Sequence, residues 1–155
     1  MADDQVKVLR IGVHCAPTGD AGELFADARA IEAAGADSVW ADAADGDPYV
    51  LLAAVAALTW RVGLVAKGAP SASGRGTCER LARGRLVVAE ELEKRGERWV
   101  HVPFPSGRDE WRATRTAALE SGATGIVVAN DARLLDLLRN PDQTFDRADL
   151  NLATG

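Results

Sequence analysis

The residues able to carry chemistry in this chain are few. His14 and His101 are its two histidines, and a histidine transfers protons near neutral pH. Asp42, Asp45 and Asp47 follow the apolar run Ser38 to Ala41. Carboxylates suit Mg²⁺, but Asp45-Gly46 also has turn chemistry and Asp47-Pro48 that of a helix start. Asp42 is left as the polar contact to a ligand, and His14 and Asp42 are the candidates for catalysis. A lone histidine in a sheet is often structural, which weighs more against His101 than His14. Cys15 beside His14 invites zinc, but no second cysteine stands at zinc-ligand spacing, and a cysteine nucleophile needs a lowered pKa.

A second candidate is the stretch GAPSASGRGTCER, residues 68–80. Its glycines let backbone N–H groups approach an anion, Arg75 supplies charge, and a helix begins near Thr77. Gly74, Arg75, Gly76 and Thr77 are the proposed phosphate contacts. No Gly-Lys-Ser/Thr follows, so this is not a Walker A motif. The competing reading is a plain surface loop.

Composition bounds the class of protein. At 155 residues the chain suits one domain, 1–141, with a polar tail, 142–155. Hydrophobic residues make up 47% and charged residues 26%, as in soluble globular proteins. The start MADDQ lacks a secretory layout, so a cytoplasmic protein with free Cys15 and Cys78 thiols is expected. A net charge of −5 argues against a nucleic-acid partner. Residues 75–115 nevertheless carry ten Arg or Lys against seven Asp or Glu, read as a solvated helix surface with a less favoured anion patch at Arg75, Arg80 and Arg83.

These residues need elements to position them. Asp20 with Glu23, Asp47-Pro48, Ser106 with Asp109, and Asp131 each supply an acceptor for the orphan N–H groups of a first helical turn. Asn140-Pro141 stops the last helix, and one further helix is expected from about Thr77 to Arg95. Between helices lie Val8 to Val13, Ser38 to Ala41, Val62 to Val65, Trp99 to Val102 and Gly125 to Val128, which read as five buried strands. Gly35, Gly96 and Gly122 each precede a strand and fit the left-handed end of a helix. The expected class is α/β, with alternating βα units and a parallel sheet of about five strands.

Parallel strands bring their carboxyl ends to one edge. There the sequence collects His14 and Cys15, Asp42 with Asp45, Lys67 and Gly68, His101 to Phe104, and Asn130 with Asp131. The tryptophans at 40, 60, 99 and 111 could stack on a planar ring or fill a core and an interface, and core and interface are expected. Open sheet edges invite a homodimer, with two partial barrels completing each other.

Residues 28–68, ARAIEAAGADSVWADAADGDPYVLLAAVAALTWRVGLVAKG, and more weakly residues 96–141, resemble the luciferase-like flavin-dependent monooxygenases. The resemblance implies a (βα)8 barrel, usually dimeric, that binds reduced FMN or a deazaflavin of the coenzyme F420 type and oxidises a small organic substrate. It puts Ala66, Lys67 and Gly68, at the end of the third strand, beside the flavin ring; Asn130, at another strand end, is a further candidate for cofactor contact. His14 would protonate or stabilise an oxygen adduct. A complete barrel needs about 250 residues, so a truncated, TIM-barrel-like partial barrel is expected. Two alternatives stand beside the oxidoreductase: a non-catalytic relative that is a ligand-binding or partner subunit, and a Mg²⁺-binding domain of flavodoxin or receiver type.

Overall fold

The computed structural model describes residues 7–17, 20–68 and 72–140, so the tail expected from 142 onward lies outside the described residues. The elements run β1 (Arg10–His14), α1 (Ala21–Ala33), β2 (Ser38–Asp42), a 3₁₀ turn (Ala43–Asp45), α2 (Pro48–Leu58), β3 (Gly63–Lys67) and α3 (Ala72–Ala82). After these come β4 (Leu86–Val88), α4 (Ala89–Lys94), β5 (Trp99–His101), α5 (Arg108–Glu120), β6 (Gly125–Ala129) and α6 (Ala132–Arg139).

Side-chain caps start three of the helices. Asp20 accepts from Gly22 N–H at 2.6 Å, Asp47 from Tyr49 N–H at 2.9 Å, and Asp131 from Arg133 N–H at 2.9 Å. The helix expected to open on Ser106 is capped differently. Gly107 holds the cap position of α5, and the Ser106 N–H donates to Glu110 at 2.5 Å. Gly35, Gly96 and Gly122 have φ of 86°, 78° and 79°, the left-handed turns expected of them.

The six strands form one wholly parallel sheet in the order β4-β3-β2-β1-β6-β5. Chain neighbours are sheet neighbours except at one place: β4 and β5 end up on opposite edges. That is the cyclic order of a βα-barrel left open between two strands, a half-barrel. Residues 89–98, carrying α4, bridge the opening.

Strand alternation sorts the side chains into two layers. Ile11, Val13, Val39, Ala41, Leu64, Ala66, Ile126 and Val128 face outward and pack with Ala28 and Ile31 of α1, Leu52 and Val55 of α2, Cys78 of α3, Trp111 of α5 and Leu134 of α6. Full burial of each large aliphatic side chain here stabilises by about 1.5–3 kcal/mol. The concave face carries a smaller cluster of Trp40, Val65, Val127 and Leu92, with Trp99 and Val87 against it. Its floor is fastened by Glu97, which accepts from Trp99 Nε1 at 3.0 Å and pairs with Arg10.

Three expectations are corrected. The sheet has six strands, because Leu86–Val88 pairs with β3. The helix read from Thr77 to Arg95 is instead α3, β4 and α4. Arg83 and Gly84, with φ of 52° and 84°, end α3, and Arg85 fastens the turn by donating to the Ala82 carbonyl at 2.9 Å. The flavodoxin or receiver alternative fails on layering, since helices α1, α2, α3, α5 and α6 all pack on one face of the sheet.

Candidate functional site

The inward-facing residues at the carboxyl ends of the strands meet at the mouth of the half-barrel. Asp42 and Lys67 are register partners on β2 and β3, and Lys67 Nζ stands 3.2 Å from Asp42 Oδ2. Asp42 also accepts from the Ala44 N–H at 2.9 Å, which opens the 3₁₀ turn. That backbone donor, opposed by burial and assisted by Lys67, holds the Asp42 carboxyl below its usual range. The turn carries Asp45 back to β1, where Asp45 Oδ2 lies 2.8 Å from His14 Nε2.

His101 enters from β5. Its ring stands edge-on to Trp40 with centroids 5.6 Å apart, and edge-on to His14 at 6.3 Å. Burial, with help from Lys67 and His14 and against Asp42, holds its pKa below the ordinary histidine value. At neutral pH His101 is therefore a neutral imidazole, one nitrogen donating and the other accepting. His14, Asp42 and Lys67, with Trp40 beneath and His101 opposite, line one shallow surface depression that encloses no cavity of its own.

The other sequence candidates fall elsewhere. Ala66 alternates to the outer face and its side chain is fully buried in the core. Gly68 is at the rim with φ of 92°, and a Cβ there would come 2.6 Å from the Ala43 Cβ, so this glycine is required where the chain passes the 3₁₀ turn. Asn130 is tied to α1 through Asp27 Oδ2 at 2.7 Å. Gly74, Arg75, Gly76 and Thr77 lie within α3, which corrects the expected glycine loop. Gly74 and Arg75 belong to its first turns, the Arg75 side chain is engaged by Glu79 at 2.8 Å, and Thr77 accepts from Arg80.

Cys15 is buried and its thiol is pushed up to about 12 by desolvation and then by Asp27, which removes it as a nucleophile. Among the described residues no group of three or more His, Cys, Asp or Glu side chains is arranged to hold a metal. No helix among them is long and apolar enough to cross a membrane. Of the tryptophans, Trp111 is in the outer core, while Trp60 is 69% exposed under the Arg83 guanidinium.

Sequence reasoning preferred core and interface for the tryptophans and did not bring Trp40 and Trp99 together. Trp40 and Trp99 lie on the concave face with centroids 5.3 Å apart, tilted by 54°. Behind the mouth, between α4 and β5, they line a cavity of about 490 Å³ together with Leu92, Ala89, Lys67 and His101. The available signal was a glycine inside each of two strands, Gly12 and Gly125, since such a glycine marks close approach by another group.

The fold and site thus define a six-stranded parallel half-barrel of the α/β class with a polar mouth above an aromatic floor. No family model matches the chain, and comparison with curated proteins finds no match.

Proposed function

We propose that the half-barrel binds a small planar molecule at its mouth, and that this molecule is a flavin, FMN or a deazaflavin, as the luciferase-like resemblance implies. The observation that carries the reading is the convergence of His14, Asp42, Lys67 and His101 over Trp40 at the carboxyl ends of separate parallel strands, where βα folds bind ligands. The donor set suits a flavin ring. Lys67 offers a half-exposed positive charge to an anionic reduced ring, and neutral His101 offers one donor and one acceptor. A ligand phosphate would meet the first-turn backbone N–H of Gly74 in α3.

A bound flavin would supply the redox step of an oxidoreductase. The protein's own part is narrower. Lys67 and Asp42 orient the ring edge, His14, its Nε2 held by Asp45, holds or passes a proton at Nδ1, and the tryptophan floor excludes water from one side. Titration of the purified chain with FMN and with a deazaflavin tests the reading. Saturable binding weakened by Lys67→Met and His14→Ala supports it, and absence of binding by both cofactors removes it.

A second reading, a non-catalytic ligand-binding or partner subunit, is favoured by the missing βα units, whose place is taken by residues 89–98. Ligand binding without turnover of any aldehyde or alcohol would select it. The proposed homodimer is checked by light scattering.

A further inference from the structure

The cavity of about 490 Å³ between α4 and β5 falls within the usual pocket range of roughly 300–1,000 Å³. It follows the line where β4 and β5 do not meet, so it exists because this chain spans that opening with residues 89–98 rather than with further strands. We propose that this cavity is a binding subsite for a flat aromatic carboxylate, its ring against Trp40 and Trp99 and its carboxylate toward Lys67. The inference rests on the concave face being a ligand site and adds a second ligand class there.

The floor favours a flat ring. The Trp40 Nε1–H donates to Ser38 Oγ at 2.9 Å and the Trp99 Nε1–H to Glu97 at 3.0 Å, so neither indole has its N–H to give a ligand. What the cavity meets is aromatic surface, more of it from Trp99, which carries Arg10 5.0 Å from its ring centroid, than from Trp40, which is 4% exposed, and such surface pairs well with another ring. Ala89 and Leu92 of α4 supply an apolar opposing wall.

Charge fixes the orientation. At the mouth end stand Lys67, with a side chain 48% exposed, and neutral His101. At the far end Glu93 and Glu97 line the cavity beside Arg98. Glu97 is occupied by Arg10 and Trp99, and Arg98 donates to the Ser121 carbonyl. Charges of both signs stand at both ends, but at the far end Arg10 is engaged by Glu97 and Arg98 by the Ser121 carbonyl, whereas at the mouth Lys67 has one ion pair, with Asp42, and a half-exposed ammonium that can turn to a carboxylate. The present partner of Lys67, Asp42, keeps its Ala44 hydrogen bond when Lys67 turns to a ligand.

Calorimetric titration of the full chain with 2-naphthoate, 2-naphthalenemethanol and cyclohexanecarboxylate tests this. Naphthoate is expected to saturate and to bind about tenfold or more tighter than the neutral ring or the non-planar acid. Ala89→Phe, which projects a ring into the space, should weaken naphthoate about tenfold. Lys67→Met should weaken naphthoate and leave the alcohol unchanged. No saturable naphthoate binding, equal binding of the comparators, or parental affinity in both variants overturns the proposal. FMN titrated into the same proteins separates the two readings. Naphthoate binding without FMN binding sinks only the flavin reading, and FMN binding without naphthoate binding sinks only the subsite.

Discussion

The indole of Trp40 rests on Gly12: a Cβ at Gly12 would stand 2.5 Å from Trp40 Nε1 and 2.8 Å from Cδ1. Trp99 rests in the same way on Gly125, where a Cβ would meet the ring at 2.4 Å. Two glycines on the paired strands β1 and β6 thus seat two large rings reaching in from β2 and β5. The rings fill much of a concave face that a closed barrel would pack with side chains from further strands.

Gly12→Ala is expected to destabilise the protein by about 1–3 kcal/mol, because Trp40 is nearly fully buried and its Nε1–H is tied to Ser38, so moving the ring away costs packing and a hydrogen bond. Urea denaturation followed by tryptophan fluorescence reads this directly. An unchanged midpoint would mean the ring is not seated on the glycine.

Arg85 holds the end of α2 to the start of β3. Its guanidinium donates to the Ala56, Thr59 and Val62 carbonyls, each at 3.0 Å, and to Thr59 Oγ1 at 2.9 Å. Arg85→Met strands several of these acceptors and should cost about 3 kcal/mol. Arg85→Lys should recover only part of it, since an ammonium lacks the planar fork. Equal melting of Arg85→Lys and the parent would contradict the assignment.

Glu32 accepts the backbone N–H groups of Trp60, Arg61 and Val62 at 2.8–3.0 Å. Burial raises its pKa, but these donors and the Arg61 charge outweigh burial and lower it. A carboxyl depressed in the folded state stabilises fully above its unfolded value, about 4.3, and loses that contribution as pH falls through the folded value. Glu32→Gln should therefore be less stable than the parent at neutral pH, with the gap closing in acid. A gap independent of pH between about 3 and 7 would refute this account.

His101 titrates in the opposite region. With its folded pKa lowered, the unfolded chain takes up the proton first, so stability falls as pH drops through about 6.5 toward the folded value. The imidazole NMR signal of His101 should titrate below that of free histidine, and His101→Gln should flatten this part of the stability profile. A midpoint at or above the free value would show that the contact with Trp40 and the neighbouring Lys67 do not disfavour the charged ring.

Local chemistry made much of the fold legible. Aspartates at 20, 47 and 131 and glycines at 35, 96 and 122 have direct backbone consequences, and they mark helix boundaries correctly. Strand β4 was hidden because three residues among arginines and glutamates show no alternation, and its pairing with Leu64 to Ala66 is a long-range event. The glycines at 74 and 76 suggested a loop because glycine is a poor helix former, yet α3 is held by packing of Cys78 and Ala82 into the core. At the mouth, His14, Asp42 and Lys67 were legible as strand ends. The tryptophan floor was not, since each ring and its glycine lie far apart in sequence.

The central claim is that side chains from separate strand ends face one ligand. Histidine ring NMR during titration with FMN tests it most directly, because His14 and His101 are the chain's two histidines and lie across the mouth from each other. Both imidazole signals should shift together and saturate, and Lys67→Met should weaken that response. Saturating FMN that leaves both signals unmoved, or moves them at unrelated concentrations, would contradict the shared site.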